Sequence, residues 1–312
     1  MVTGGAGFIG SNLVDRLLVE GHHVDVVDDL STGRLNNLAE ARTAPGGAFS
    51  FHQLDVRSPD LVELVSRRRP EVIFHLAAQA DVRVSVNRPV FDAEVNILGT
   101  LRLLEGARMA GSRRVVFAAS GGTLYGEPDA EDLPVKETMP QRPLSPYGVS
   151  KKSAIDYLVC YRELHSLEFC ALALANIYGP RQDPHGEAGV VAIFANRMLE
   201  GKPVTIFGDG GQTRDFLFVD DAVDAFVRAA DKGGGLVLNI GTGQELSVNE
   251  LYDVMAERLG SDQAPVFVPE RPGEIRRNAL DPERAAIHLG WRPFTPIRQG
   301  IKAVLDHFAD PR

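Results

Sequence analysis

The sequence predicts an α/β protein: a doubly wound parallel sheet in the first half and a smaller C-terminal α/β lobe after it. Two observations carry this. Up to about Ala175, short apolar runs alternate with segments of helical period, the order expected of repeated βαβ units. Beyond that point the alternation loosens, loops lengthen and isolated helices replace it.

Taken in order, the apolar runs at 23–28, 49–54, 72–76, 115–119 and 169–173 read as strands. Residues 11–20 place Leu13, Val14, Leu17 and Leu18 on one helical stripe, and 189–200 and 249–259 read as later helices. The expected division is 1–175 for the sheet domain, with returns near 213–242, and 176–212 plus 243–312 for the second lobe. Only two apolar residues, Met1 and Val2, precede the first glycines, so a few further residues are expected upstream to complete a first strand.

With 312 residues, 44% hydrophobic and 24% charged, the chain can bury a full core. Its net charge of −9 argues against a nucleic-acid partner, which needs a basic face. No apolar run is long enough to span a bilayer. Cys160 and Cys170 give no disulfide framework or metal-ligand spacing, and their apolar neighbours suggest core packing. A cytoplasmic location without membrane contact or a metal is expected.

Gly4-x-x-Gly7-x-x-Gly10 follows the short first strand and opens the Ser11 helix. Such glycines permit a tight turn, close approach of a pyrophosphate and close helix–strand packing, with the pyrophosphate on the free N–H groups of Phe8, Ile9 and Gly10. Asp28 ends the second strand, where a carboxylate accepts from ribose hydroxyls and repels a 2′-phosphate. Together these predict a Rossmann-type domain that binds NAD. Asp29, Leu30, Ser31, Thr32 and Gly33 continue that edge of the site. Asp55 and Val56 are candidate adenine contacts; Leu76, Ala77, Ala78 and Gln79 are small enough for backbone to lie along the cofactor, with Asn96 behind. His75 reads as a strand-end packing residue.

Ser145-Pro146-Tyr147-Gly148-Val149-Ser150-Lys151 carries the chemistry. Ser145 can cap a helix whose first residue is Pro146, which puts Tyr147 and Lys151 one turn apart on one face. A free phenol is a poor base at neutral pH; a nearby ammonium and a cationic nicotinamide both favour its ionised form. The pair can then take a hydroxyl proton while hydride leaves the same carbon. A solitary Tyr-x-x-x-Lys is common on surface helices; behind a dinucleotide fingerprint it reads as catalytic.

With these residues assembled, the chain resembles the extended short-chain dehydrogenase/reductase family, and within it the UDP-glucose (UDP-galactose) 4-epimerases. The likeness runs through Thr3 to Gly10, His75 to Gln79, Asn96-Ile97-Leu98-Gly99-Thr100 and the Tyr147/Lys151 pair. It extends through Asn176-Ile177-Tyr178-Gly179-Pro180-Arg181-Gln182, Gly186 to Val191, Arg214-Asp215-Phe216 and Arg271-Pro272-Gly273-Glu274. The resemblance implies that Tyr147 removes the sugar 4-OH proton while C4 gives hydride to NAD, and that the 4-keto sugar then turns and is reduced on its other face. It also implies that Asn176, Arg214 and Arg271 hold the diphosphate of a UDP-sugar. Thr205 and Phe207 would flank uracil, Glu274 would meet the uridine ribose, and Gly189, Val190 and Val191 would line the site. A homodimer through helices beginning near Asp92 and Pro146 is a further implication.

One departure concerns the hydroxyl helper. Many relatives carry Ser or Thr four residues before the Tyr of the strand-end Tyr125-Gly126 pair; here that residue is Gly121, so the role passes to Thr123, preferred, or to Ser120. Sugar-nucleotide 4,6-dehydratases place an Asp-Glu pair in this segment, and Gly121-Gly122-Thr123 supplies neither acid nor base. The same chemistry on UDP-glucuronic acid or UDP-N-acetylglucosamine is the alternative, with His185, Arg181 and Asn278 as candidates to decide the sugar. A non-enzymatic NAD-binding regulator is the remote alternative, disfavoured because such a protein has no need of the Tyr/Lys pair.

Overall fold

A computed structural model describes residues 1–185, 189–270 and 275–310. Its central sheet has seven strands in which every neighbouring pair is parallel. They are β1 (Val2–Thr3), β2 (Val24–Asp28), β3 (Phe49–Gln53), β4 (Val72–His75), β5 (Arg114–Ser120), β6 (Glu168–Leu174) and, much later in the chain, β11 (Leu236–Ile240). The order β11-β6-β5-β4-β1-β2-β3 reverses between β1 and β4, the crevice in which such sheets bind ligands.

Both faces are covered, so alternate residues of one strand enter two different cores. Val26, Phe74 and Val116 pack under α1 (Phe8–Val19) and α9 (Val219–Ala229), while Val27, Ile73 and Val115 pack on the opposite face. That second face is covered by α2 (Asp60–Arg68), α5 (Gly99–Ala110) and α7 (Pro146–His165). Between α2 and α5 come α3 (Val82–Asn87), α4 (Pro89–Ala93) and a π-helical turn at Glu94–Leu98; α6 (Gly121–Leu124) follows β5 directly.

The five expected strands lie within one residue of their expected bounds. The first helix begins at Phe8 rather than Ser11, because Gly7 is its N-cap. β11 escaped sequence reading: its apolar run is broken by Asn239, whose amide is satisfied by the Tyr125 hydroxyl and the Val135 carbonyl. Cys170 is buried as expected, but Cys160 is exposed, because it lies on the outer side of α7 beside the exposed Tyr157 and Val159.

The remaining chain forms small pairings: β7 (Asn176–Tyr178) with β10 (Phe216–Phe218), β8 (Thr205–Phe207) with β13 (Val266–Val268), and β9 (Thr213–Arg214) with β12 (Leu246–Ser247). Around them pack α8 (Val190–Leu199), α10 (Val248–Leu259), α11 (Glu283–Leu289) and α12 (Ile297–Ala309). Their core is continuous with the α1–α9 face of the sheet. Among the described residues, no helix is long and apolar enough to cross a membrane.

Candidate active site

The glycine turn leaves β1 at the carboxyl edge of the sheet. Gly4 has φ +69°, and a Cβ there would come within 2.6 Å of the Ala77 nitrogen; at Gly10 a Cβ would lie 2.1 Å from the Gly4 carbonyl oxygen. Side chains are excluded at both points, so backbone from two strand ends meets at the start of α1. Gly7 caps α1 without a side-chain hydrogen bond, which leaves the N–H groups of the first turn to a ligand. This cradle fits a dinucleotide pyrophosphate.

Asp28 closes one side. It is buried, at 8% exposure, and accepts hydrogen bonds from the Ala6 and Leu30 amides, each at 2.9 Å. Burial pushes its carboxyl above the usual range against those two hydrogen bonds. Asp29 accepts from the amide and hydroxyl of Ser31, which shapes the loop carrying Thr32 and Gly33. The Asp55 carboxylate is gripped by Arg57, whose Nη2 lies 2.6 Å away, and that pairing holds it below its ordinary pKa. Asp55 is thus engaged locally, with buried Val56 beside it.

Behind this edge runs a chain of polar groups with determined directions. The Thr100 hydroxyl donates to the Asn96 carbonyl (2.7 Å), so His75 Nε2 must donate to Thr100 (3.0 Å) and its Nδ1 must accept from Thr3 (2.7 Å). Burial carries the His75 pKa down to about 3, so the ring is neutral and the acceptor role of Nδ1 follows from the donor role of Nε2. As expected, it is a strand-end packing residue. Leu76 and Ala77 donate back to Thr3, and the Asn96 amide pairs with both the N–H and the C=O of Gln79, leaving Ala78 between two fixed points.

The helix-start signal is realised: Ser145 Oγ accepts from the Gly148 amide at 3.2 Å, with Pro146 at the first helical position. Tyr147 and Lys151 stand one turn apart, with Lys151 Nζ 5.7 Å from the Tyr147 ring centroid and 4.8 Å from that of Phe117. The ammonium donates to the Ala118 carbonyl at 3.0 Å. Lys151 is 2% exposed, and burial lowers it to about 8, opposed by the charge of Asp92. Burial also pushes Tyr147 up to about 12, opposed by a hydrogen bond with Ser120. In the protein alone, burial thus outweighs the ionisation expected from a neighbouring ammonium.

Ser120 is the hydroxyl that counters burial at Tyr147; Thr123 Oγ1 points back to the Ser120 carbonyl at 3.5 Å. The glycine at 121 also has a physical cause. A Cβ there would lie 2.3 Å from Leu280 Cδ1, so a fully buried leucine from near the C-terminus fills the space of a side chain. At Gly122 a Cβ would meet nothing within 4 Å.

Across the crevice, the Asn176 amide donates to the Asp215 carbonyl (2.9 Å), and Arg214 Nη1 donates to the Thr213 carbonyl (2.8 Å). Thr205 and Phe207 lie on β8, and Phe207 shares a small concavity with Gln212, Glu270, Ile275 and Arg276. Gly189 caps α8, with Val190 and Val191 in its first turn. Arg271 and Glu274 lie outside the described residues, as do Gly186 to Ala188. Of the three residues expected to read the sugar, Arg181 is ion-paired to Asp15 of α1 at 2.7 Å and His185 is exposed. Asn278 is 2% exposed, and among the described residues neither of its side-chain polar atoms has a hydrogen-bond partner.

Sequence reading assigned Asp215 no role beyond its place in the Arg214-Asp215-Phe216 motif. It is fully buried and accepts from the Thr242 amide and hydroxyl and from the Gly243 and Leu280 amides. One carboxylate thereby fixes the start of β10, the turn after β11 and the leucine that backs Gly121. The signal was an acidic residue directly before the apolar run Phe216 to Val219.

Residues 1–304 match the family described as GDP-mannose 4,6 dehydratase. A UDP-glucose 4-epimerase of Mycolicibacterium smegmatis is 51% identical over 99% of this chain and 97% of its own length. The crystal structure of a UDP-glucose 4-epimerase from Thermotoga maritima with UDP-glucose superposes with a TM-score of 0.94 at 44% identity, covering 98% of this chain and 97% of the other. That of the Thermus thermophilus UDP-glucose 4-epimerase in complex with NAD gives 0.89 at 43% identity, over 98% and 97%. The chain belongs to the extended short-chain dehydrogenase/reductase family, in its UDP-glucose 4-epimerase branch.

Proposed function

We propose that the chain interconverts UDP-galactose and UDP-glucose, with NAD as a resident cofactor. One observation carries the reading: Tyr147, one turn before buried Lys151, whose ammonium lies 5.7 Å from the Tyr147 ring centroid, stands on the same sheet edge as a glycine turn shaped for a dinucleotide. The glycine turn at Gly4–Gly10 and Asp28 would hold NAD, which would supply a reversible hydride acceptor for C4. Tyr147 takes the 4-OH proton as the C4–H bond breaks, and returns it after the 4-keto sugar has turned to present its other face. Lys151 stabilises the phenolate between those two transfers, and Ser120 or Thr123 steadies the sugar oxygen. The relatives bound to UDP-glucose and NAD support this assignment.

The matched family carries a dehydratase description, but elimination across C5 and C6 needs an acid and a base that Gly122 and Thr123 do not provide. UDP-glucuronic acid would need a cation near C6, and Arg181 is committed to Asp15. Asn278, with a buried amide still able to donate and accept, is the group we assign to the sugar. Asn176, Arg214 and Arg271 then hold the diphosphate through charge-assisted hydrogen bonds, Thr205 and Phe207 flank uracil, and Glu274 meets its ribose. Incubation of the pure protein with UDP-galactose, UDP-glucuronic acid and UDP-N-acetylglucosamine tests this: UDP-galactose should yield UDP-glucose fastest. Absence of turnover on all three, with NAD bound, would favour a non-enzymatic regulator.

In this reading 1–175, joined by 213–242, binds the cofactor, while 176–212 and 243–312 bind the UDP-sugar. Exposed Val90, Leu98 and Met109 on one side, and Val149, Tyr157 and Leu164 of α7 on the other, support a homodimer packed through these helices. Light scattering should give twice the chain mass. The free thiols suit the cytoplasm.

A further inference from the structure

Asp92 is fully buried at the end of α4, against the helix that carries the acid–base pair. Its Oδ1 accepts from the hydroxyl of Ser150, the residue before Lys151. Its Oδ2 accepts from the side-chain amides of Asn96 and Gln79, both at 3.0 Å. Asn96 reaches inward from the π-helical turn Glu94–Leu98, a local irregularity that is common at functional sites. Gln79 in turn belongs to the loop that lies along the cofactor cradle. A single carboxylate thus links the catalytic helix to the cofactor side of the sheet through three hydrogen bonds.

We propose that Asp92 is a positioning residue for the Tyr147–Lys151 pair: it registers the catalytic turn of α7 through Ser150, and its negative charge favours the ammonium form of Lys151. This rests on the reading of Tyr147 and Lys151 as the acid–base pair.

The charged groups around it divide cleanly. Tyr147 and Lys151 face it from α7, and both feel its charge, which raises each of them. Lys152 of α7 pairs with Asp156 at the surface. From α3 and its cap, Arg83 lies 3.9 Å from Asp81; from the π turn, Glu94 lies 3.8 Å from Arg57. Arg88 stacks on Phe91, and His75 is neutral. Removing the Asp92 charge should therefore move Lys151 and Tyr147 together, to lower pH.

Asp92→Asn makes the test isosteric. With its amide nitrogen turned to Ser150 Oγ and its oxygen to the amides of Asn96 and Gln79, it keeps three hydrogen bonds and loses only charge. The titration midpoint of Lys151, followed by carbon NMR of labelled lysine in NAD-free protein and assigned with Lys151→Arg, should fall by about half a pH unit or more. Both limbs of the kcat/KM profile should move to lower pH by a similar amount. Ser150→Ala keeps the charge and breaks one hydrogen bond, so kcat should fall several-fold with both limbs in place. An unmoved Lys151 midpoint in Asp92→Asn overturns the proposal whatever the turnover, as does an unchanged kcat in Ser150→Ala. The second result decides alone if Asp92→Asn does not fold. A displaced Lys151 midpoint in a protein whose parent turns over no UDP-sugar would defeat the epimerase reading and leave the electrostatic role standing.

Discussion

Replacing Gly121 with serine while cutting Leu280 back to alanine probes whether the leucine excludes a hydroxyl from the usual helper position. A serine Cβ at 121 would lie 2.3 Å from Leu280 Cδ1 and 3.0 Å from Cδ2, contacts that force the leucine aside. Overpacking of this kind costs about 1–3 kcal/mol. Leu280 is fully buried in the core cluster that also holds Val135, Leu124 and Tyr125, so Leu280→Ala should cost about 2–5 kcal/mol, much of it for the cavity. In the double variant the serine enters that cavity and the clash disappears. The combined loss should then fall short of the sum by at least about 1 kcal/mol, since residues in contact couple by about 0.5–3 kcal/mol. Urea unfolding of the four proteins at saturating NAD measures this coupling, and turnover of UDP-galactose shows whether the restored hydroxyl serves. Losses that add to within about 0.5 kcal/mol would refute the argument that Leu280 sets the residue at 121.

Three other outcomes follow from the site. Gly10→Ala places a methyl 2.1 Å from the Gly4 carbonyl oxygen, so the purified variant should release far less NAD on acid denaturation than the parent; equal content would remove the glycine turn from the cofactor site. Asp215→Ala leaves the buried amide donors of Thr242, Gly243 and Leu280 without their acceptor and should cost about 3–5 kcal/mol in urea unfolding, against little for a surface aspartate. His75 has a folded-state pKa lowered to about 3, so only the unfolded chain takes up its proton as pH falls below about 6.5. Its contribution is fully present above that pH and is lost at up to about 1.4 kcal/mol per pH unit as pH falls toward 3. Parallel stability–pH slopes for the parent and His75→Gln would contradict this.

The parts of the fold governed by local rules were legible in the sequence. Apolar runs gave five strands, and Ser145 with Pro146 gave the start of the catalytic helix, because capping and periodicity act over a few residues. Gly4, Gly10 and Asp28 were legible because the geometry they serve recurs wherever a phosphate meets a helix start. What stayed hidden depends on distant partners. Nothing near Asn239 announces that Tyr125 will satisfy its amide, so β11 could not be read as a strand. Nothing near Gly121 announces Leu280. Asp92 and Asp215 each look like one more surface acid until the fold supplies their buried donors. The exposure of Cys160 shows the converse, an apolar neighbourhood that belongs to the outer side of a helix.

Leu280 also sets a schedule. The glycine turn, Asp28 and Tyr147 are all synthesised in the first half of the chain, yet the group behind Gly121 is supplied by Leu280, far later in the sequence. The Asp215 carboxylate that anchors Leu280 also waits for the turn at Thr242. At the usual pace of translation several seconds separate the synthesis of Tyr147 from that of Leu280. Catalytic competence therefore arrives as a late, almost terminal event of biosynthesis. A message that ends before Leu280 leaves the space behind Gly121 unfilled.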